Sequence, residues 1–253
     1  MLELKGLCAG YPKHPVLDRV TLTIAAGQIT VIAGPNGCGK STLLKVISGG
    51  IPRSGGQILL DGRDLADLCP QELARQVAYL PQSRPVPEIT AFRLVLHGRF
   101  PYLSYPRHYG PRDLEAAREA LDRMGIADLA DRPMATLSGG QRQKVWLSMV
   151  LAQDTPVVLL DEPTTFLDIS HQLQLMEQAR FLAREGKAVV LVLHDLAMAL
   201  QCADSLAIFM DGRLLQQGSP DAVFSGGCLE QAFGVAVRRV QAPEGWQYYY
   251  HTN

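Results

Sequence analysis

Nine consecutive residues constrain this chain more than any other stretch. They are Gly34, Pro35, Asn36, Gly37, Cys38, Gly39, Lys40, Ser41 and Thr42. They match G-x-x-x-x-G-K-[ST], a loop whose glycines let the backbone N–H groups point inward at anionic oxygens. Lys40 adds a positive charge for the terminal phosphates, and the Ser41 hydroxyl suits Mg²⁺. The motif predicts a nucleotide site; the alternative is a glycine-rich turn with a chance lysine.

The segments on either side of the loop favour the nucleotide site. Residues 29–33 are apolar and predict a buried strand, and residues 41–47 predict a helix. The N-terminal dipole of that helix would face the phosphates. The order strand, loop, helix is the context that the motif requires, although it does not say which reaction follows.

Composition excludes several classes of protein. The 253 residues, 47% apolar and 19% charged, suit a soluble globular chain, and the net charge of −1 implies no bulk attraction to nucleic acid. No apolar run approaches the roughly 18 residues of a membrane span, and residues 1–6 lack a signal-peptide pattern. Five cysteines without C-x-x-C spacing predict free thiols in a reducing cytosol.

Hydrophobic periodicity predicts an α/β fold with a mainly parallel sheet, an N-terminal antiparallel β subdomain and an inserted helical subdomain. Strand patterns dominate residues 1–32 and 157–195, and helical patterns dominate residues 83–155. We interpret residues 1–253 as one domain. Further predictions are a hairpin at residues 211–212 and an edge strand in the aromatic tail at 246–250.

Two helices are predicted within the helical block. Asp113 to Met124 carries an apolar face, with Asp113 as N-cap and Gly125 as C-cap. A second helix spans about 142–152. Ser138, Gly139, Gly140 and Gln141 precede it and form either a second anion site or a plain helix cap.

Polar residues at strand ends are the candidate metal-binding and catalytic groups. Asp161 and Glu162 follow the buried strand 157–160, where uncompensated charge is costly. A Mg²⁺ ion facing Asp161 and an attacking water facing Glu162 would explain both carboxylates. His194 follows the apolar strand 188–193, at the end of the sheet where ligands bind, although a lone histidine is more often structural.

Two further residues gain weight from these motifs. Tyr11, in the turn 10–12, can stack on adenine or simply fill the surface. Gln82 follows the predicted strand 77–80 and is either a surface side chain or part of the site.

Together the motifs resemble the ATP-binding cassette family in their order along nearly the whole chain. The matching elements are Tyr11, the loop 34–42, Gln82, the signature Leu-Ser-Gly-Gly-Gln at 137–141, Asp161-Glu162, Phe166-Leu167-Asp168 and His194. The signature is the most specific of these.

The resemblance implies a head-to-tail pair of subunits, with each ATP between one phosphate loop and the other subunit's signature. It assigns the signature residues to the γ-phosphate of the partner's ATP and Asp168 to the dimer seam. Glu162 becomes the general base, and His194 holds the γ-phosphate and water. Gln82 contacts the metal and water and couples to a membrane subunit. Lys40 and Mg²⁺ stabilise the charge on the transferred phosphoryl group.

A finer resemblance concerns the transported substrate. Residues 97–102, 151–156 and 164–172 look like the ATPases of bacterial iron-chelate importers, and cassettes for cobalamin and haem share much of this pattern. The expected function is ATP hydrolysis on the cytoplasmic face of the inner membrane. It would power siderophore uptake through separate permease subunits and, indirectly, an extracytoplasmic solute-binding protein.

Other classes fit less well. A soluble cassette protein of translation or DNA repair usually carries two cassettes or a long coiled-coil insertion. A phosphate-loop kinase needs no signature, and a GTPase would want Asn-Lys-x-Asp, which is absent. Exporters commonly fuse membrane helices to the cassette.

Residues 83–112 are the predicted permease contact, because arginines and aromatics are enriched at interface hot spots. The alternative is a solvated irregular loop. The segment contains Arg84, Arg93, Arg99, Phe100, Tyr102, Tyr105, Arg107, His108, Tyr109 and Arg112.

Overall fold

The computed structural model describes residues 1–165, 167–243 and 245–252, so Phe166 of the motif Phe166-Leu167-Asp168 lies outside the described residues. The strands are β1 (Leu2–Tyr11), β2 (His14–Ile24), β3 (Ile29–Ala33), β4 (Arg53–Leu60), β5 (Arg63–Asp64), β6 (Val77–Leu80), β7 (Val157–Asp161), β8 (Ala188–Val192), β9 (Ser205–Met210), β10 (Arg213–Gly218), β11 (Val235–Ala242) and β12 (Gly245–Thr252). The α-helices are α1 (Lys40–Ile47), α2 (Pro70–Gln76), α3 (Ala91–His97), α4 (Pro111–Arg123), α5 (Gly139–Gln153), α6 (Ile169–Arg184), α7 (Leu196–Cys202), α8 (Pro220–Ser225) and α9 (Cys228–Phe233).

A six-stranded sheet in the order β10-β9-β3-β8-β7-β6 forms the centre of the fold. Strands β9, β3, β8, β7 and β6 run parallel, and β10 is antiparallel to β9, so the predicted mainly parallel sheet is confirmed. Every residue of β3, β7 and β8 is buried. Burial on both faces explains why these strands are almost continuously apolar rather than alternating.

Two hydrophobic cores lie on opposite faces of this sheet, because successive strand residues point to opposite sides. On β8, Val189 and Leu191 join the core formed with the helices of the 83–155 block and with α6. Val190 and Val192 join the second core, which includes α1 and the N-terminal strands. Helix α1 is therefore fixed beneath the loop that precedes it.

The N-terminal strands form an antiparallel sheet in the order β2-β1-β4-β5, as predicted. Leu2 pairs with Ile24 on one side and with Leu60 on the other. The alternating buried leucines of β1, such as Leu2 and Leu4, face the second core.

Gly212 connects this antiparallel sheet to the central sheet. Its carbonyl accepts a hydrogen bond from the Asp18 N–H at 3.0 Å, and its own N–H donates to the Cys38 carbonyl at 3.1 Å. It lies in the predicted hairpin between β9 and β10 with φ of 76°, and a Cβ there would lie 1.9 Å from the Val16 carbonyl oxygen. Only glycine fits this junction, which borders the phosphate-loop motif.

Helices α3, α4 and α5 form the predicted helical block, but α4 begins earlier than predicted. Pro111 is its first residue, and Asp113 lies in the first turn, where its carboxylate accepts from the Gly110 N–H at 2.9 Å. Asp113 as the N-cap is therefore wrong, because proline at the first helical position extends the helix towards Gly110. Gly125 follows the helix with φ of 64°, a conformation suited to its predicted capping role.

Helix α5 also begins three residues before its predicted start at about 142. Ser138 caps α5 and Asp168 caps α6, each through a side-chain oxygen that accepts a backbone N–H. Capping compensates for the two glycines in the first turn of α5, which have low helix propensity.

The C-terminal region departs slightly from expectation. The aromatic tail forms strand β12, as predicted, but pairs with β11 in a separate two-stranded sheet. All five cysteines are free thiols, as expected. None of the helices within the described part of the chain has the length and apolar character needed to cross a membrane.

We predict that Gly212→Ala destabilises the fold more than Gly186→Ala. Both glycines have positive φ, but a Cβ at Gly186 meets nothing within 4 Å. The control, Gly186→Ala, should lower the free energy of unfolding by about 1–2 kcal/mol, because alanine is strained in the left-handed conformation. Gly212→Ala should lose more, because it also displaces the Val16 backbone. Urea unfolding midpoints measure the difference, and equal losses would contradict the proposed role of this junction.

Candidate functional site

A cleft of about 500 Å³ lies at the carboxyl ends of the parallel strands. This is where open α/β sheets bind their ligands. Residues from the phosphate loop, the N-terminal sheet and three strand ends form its walls: Tyr11, Val16, Asn36, Gly37, Gly39, Lys40, Ser41, Thr42, Gln82, Glu162 and His194.

The phosphate loop surrounds a buried lysine. Lys40 is only 6% exposed, and its Nζ donates to the carbonyl oxygens of Gly34 at 2.8 Å and Pro35 at 2.9 Å. Gly37 and Gly39 have φ of 79° and 105°, backbone conformations that favour glycine. The loop leads into the N-terminus of α1, so backbone N–H groups, a helix dipole and one ammonium group can all act on an anion here.

Cys38 turns its side chain inward from the loop, and its Sγ accepts from Lys40 Nζ at 3.9 Å. Its side chain is buried in the core beneath α1. Burial raises the pKa of this thiol, which keeps it protonated and unreactive.

Asp161 lies at the end of β7 beside the first turn of α1. The Ser41 hydroxyl donates to Asp161 Oδ1 at 3.1 Å, and the Tyr79 hydroxyl donates to Oδ2 at 3.2 Å. Burial raises the pKa of Asp161, and these two hydrogen bonds oppose that rise. With Gln82 lining the same cleft, the donors are hard oxygen atoms, which fits Mg²⁺ bound by few protein groups together with phosphates.

Glu162 is held by three other elements. It has φ of 50°, and its N–H donates to the Val192 carbonyl at 3.2 Å. The Gln82 amide donates to one carboxylate oxygen, and His194 Nε2 lies 2.5 Å from the other. The Glu162 side chain is 9% exposed and His194 49%, so the histidine remains open to the cleft while it contacts the carboxylate.

Two residues of this site escaped the sequence analysis. Val16 forms an apolar wall opposite Tyr11, which is 46% exposed at the end of β1. Tyr79 was predicted only as part of a strand, yet its hydroxyl orients Asp161. A tyrosine in an otherwise aliphatic strand was the available signal, since a buried hydroxyl needs a partner.

The signature residues do not join this cleft. Ser138 Oγ accepts from the Gln141 N–H at 3.2 Å, and the Gln141 side chain accepts from the Ser138 N–H at 3.0 Å. This capping box starts α5, with Gly139 and Gly140 in the first turn. Ser138, Gly139, Gly140 and Gln141 are all absent from the walls of the cleft as far as the described residues define them.

Asp168 also lies outside the cleft walls. Its carboxylate accepts from the His171 N–H and from the Ser170 hydroxyl, both at 2.9 Å, and also contacts His171 Nδ1. These hydrogen bonds hold the pKa of Asp168 below its usual value. Asp168 therefore caps α6 and remains ionised on the surface.

Comparison with known proteins agrees with this geometry. Residues 17–165 match the sequence profile of the family described as ABC transporter. The ferric enterobactin transport ATP-binding protein FepC of Escherichia coli (strain K12) is 41% identical over 245 residues, covering 95% of this chain and 90% of the relative. A hemin import ATP-binding protein, HmuV of Gloeobacter violaceus (strain ATCC 29082 / PCC 7421), is 41% identical over 251 residues, covering 96% and 90%.

A solved structure shows the same fold. It is a dimeric ATP-binding cassette in a post-hydrolysis state bound to ADP and phosphate, and it is 28% identical to this chain. The TM-score is 0.77, with 87% of this chain and 99% of that chain covered. On its phosphate loop, its strand-end carboxylates and these matches, the chain belongs to the ABC transporter family.

Proposed function

We propose that this chain is the ATPase subunit of a bacterial importer and that it powers uptake of an iron-siderophore complex. The proposal rests on one observation: the phosphate-binding loop and Glu162 line the same cleft. Gln82 and His194 hold the Glu162 carboxylate there. The siderophore assignment is supported by the enterobactin relative and by residues 97–102 and 164–172. Haem and cobalamin remain the alternatives, since the hemin relative is equally similar.

The geometry supports a division of labour in hydrolysis. Lys40, held by loop carbonyls, can turn to the β- and γ-phosphates and offset the charge that develops on them. Tyr11 offers an exposed ring for adenine at the mouth of the cleft. Ser41 and Asp161, with the Gln82 amide oxygen, would hold Mg²⁺, which supplies neutralising charge beside the phosphates.

Glu162 is assigned as the general base. A base must reach the attacking water by a hydrogen bond, and Glu162 is the carboxylate that lines the cleft. The Gln82 amide donates to one of its oxygens and so orients the carboxylate. His194 can hold the water and the γ-phosphate from its exposed position next to the other oxygen.

A second copy would complete the site. Ser138, Gly139, Gly140, Gln141 and Asp168 lie away from the cleft of their own chain. A head-to-tail pair would bring the capped N-terminus of α5 to the partner's γ-phosphate, where N–H groups suit an anion. The dimeric cassette of the same fold supports this arrangement.

The remaining partners follow from the transport assignment. We assign the chain to the cytoplasmic face of the cell membrane, where it is bound to separate permease subunits. A solute-binding protein delivers the substrate to those subunits. We treat residues 1–253 as a single domain in which about 83–155 form the helical subdomain.

The expected permease contact needs one revision. Tyr102, predicted as part of that surface, is a structural residue, because its hydroxyl donates to the Gln153 and Asp154 carbonyls and Arg99 lies 4.0 Å from its ring centre. Tyr105, which is 95% exposed, and Phe100, 45% exposed, are better candidates. An exposed pair of aromatic rings is a poor solvent face.

The transport proposal is tested with the chain reconstituted in vesicles together with its permease and binding protein. We expect ATP-dependent uptake of a radiolabelled ferric siderophore, with no uptake when the chain is omitted. Uptake of haem or cobalamin instead would contradict the siderophore assignment, and ATP hydrolysis that no such permease stimulates would contradict the transport role.

Glu162→Gln should bind MgATP within about twofold of the unmodified chain, because the amide keeps the size of the side chain and one acceptor oxygen. Turnover should fall by about 10²–10⁴, the usual contribution of a general base. Phosphate release and binding of a fluorescent ATP analogue measure the two effects, and gel filtration should show an ATP-bound dimer. Normal turnover would remove Glu162 from this role.

Lys40→Ala is the contrasting variant. It removes a charge that faces the phosphates, so the affinity for ATP should fall together with the rate. If both variants lost affinity equally, the separate roles of Glu162 and Lys40 would be wrong.

Replacing Phe100 and Tyr105 with serine should leave ATP hydrolysis by the isolated subunit unchanged and weaken assembly with the permease. We expect recovery in detergent co-purification to fall at least about fivefold, which corresponds to about 1 kcal/mol. Tyr249→Ser is the matched control, since Tyr249 is 53% exposed on the C-terminal ribbon. Equal recovery of both variants would locate the interface elsewhere.

A further inference from the structure

Gln143 is a buried glutamine in the middle of α5. Its side chain is used at both ends: Nε2 donates to the Pro163 carbonyl oxygen at 2.7 Å, and Oε1 accepts from Arg84 Nη2 at 2.7 Å. The residue is only 5% exposed. A buried amide that loses such partners leaves polar groups unsatisfied in the core, so this orientation is strongly specified.

The two partners of Gln143 both lead to Glu162. Pro163 follows Glu162 directly in the chain, and Arg84 lies two residues after Gln82, whose amide donates to the Glu162 carboxylate. Hydrogen bonds and short chain segments therefore form a closed ring. The Glu162 side chain is bonded to Gln82, and the chain leads from Gln82 to Arg84. Arg84 is bonded to Gln143, and Gln143 to the Pro163 carbonyl beside Glu162.

Glu162 needs this support because of its backbone. Its φ of 50° is uncommon for a residue other than glycine and persists only where the surroundings enforce it. On the side towards β8 the Glu162 N–H donates to the Val192 carbonyl. On the other side, the hydrogen bond from Gln143 to the Pro163 carbonyl fixes the Pro163–Thr164 peptide group, one residue beyond Glu162.

Arg84 determines which way the Gln143 amide points. Arginine can only donate, so the amide oxygen must face Arg84 and the amide nitrogen must face Pro163. The guanidinium also lies over the Trp146 ring at 5.4 Å, and its buried Nη1 has no hydrogen-bond partner among the residues that the structure describes. Burial lowers the pKa of Arg84 to about 10, which leaves it charged at neutral pH.

We propose that Gln143 is a positioning residue that links the signature helix α5 to the general base Glu162 of the same chain. The proposal rests on the function proposed above, in which the N-terminus of α5 meets the ATP of the second copy. Gln143 lies five residues from Ser138, about 7.5 Å along the helix axis. Movement of α5 upon contact with that ATP is thereby conveyed to the carboxylate that serves the other ATP.

The first test compares Gln143→Leu with Gln153→Leu. Gln153 lies on the same helix, is half-buried, and its Nε2 donates to the Ala74 carbonyl at 2.7 Å, far along α5 from Glu162. Both variants lose a buried amide contact, so both should lower the thermal unfolding midpoint. Only Gln143→Leu should lower kcat, by about 10-fold or more, with the KM for ATP within about twofold. An equal effect of the two variants on kcat would overturn the proposal.

Gln143→Glu is a second test variant, to be used if Gln143→Leu does not fold. Glutamate keeps the size of the side chain and an acceptor for Arg84, but an ionised carboxylate cannot donate to the Pro163 carbonyl. We expect this variant to retain folding and MgATP binding with a reduced kcat. An unchanged kcat would show that the contact with Pro163 does not position Glu162.

Mixed dimers identify the chain through which Gln143 acts. When one subunit carries both Glu162→Gln and Gln143→Leu, the other subunit keeps an intact base and its own Gln143, and about half of the wild-type turnover should remain. When the two substitutions are on different subunits, turnover should fall below that level, because each site then lacks either its own Glu162 or its own Gln143. The reverse pattern would mean that Gln143 serves the partner's ATP through the signature, and would overturn the proposal. Failure of the unmodified chain to dimerise or hydrolyse ATP would instead contradict the proposed function.

Discussion

Two neighbouring carboxylates at the end of a buried strand are the constraint on which the rest of the site depends. Asp161 and Glu162 are 2% and 8% exposed, and buried carboxylates are costly unless each is hydrogen-bonded or paired. Their partners come from separate elements: Ser41 from α1, Tyr79 from β6, Gln82 from the loop after β6, and His194 from the loop after β8. The need to satisfy two charges therefore joins α1, β6 and the loops after β6 and β8 at one point.

The central sheet makes that convergence possible. Because β3, β8, β7 and β6 are parallel and adjacent, their carboxyl ends meet at one edge, and each following loop delivers one polar group. The two cores hold the strands from both faces, which fixes the points at which these loops begin. Gly212 adds a second restraint by joining the N-terminal sheet, with Val16, to the backbone of the phosphate loop.

Much of this was predictable from local patterns, and the rest depends on contacts between distant residues. The glycine loop and the apolar strands follow from spacing over a few residues. The start of α4 was misplaced because the sequence does not reveal which of Pro111 and Asp113 begins the helix. Tyr102 looked like an interface residue, because the carbonyls that accept its hydroxyl lie some fifty positions away in the chain. Contacts across such separations become apparent only when the packing is known.

The position of α5 explains why catalysis in such a chain would depend on a second copy. Its capped N-terminus is absent from the described walls of the cleft, yet its Gln143 side chain donates to the Pro163 carbonyl, one residue beyond Glu162. In the proposed arrangement, one helix thus contacts the backbone beside its own Glu162 and presents N–H groups to the ATP of the partner. A rigid α-helix moves as a unit, so a shift at its N-terminus displaces a buried amide five residues along it. The strained backbone of Glu162 makes the proposed base sensitive to that displacement, since a residue with φ of 50° keeps its conformation only while its surroundings enforce it.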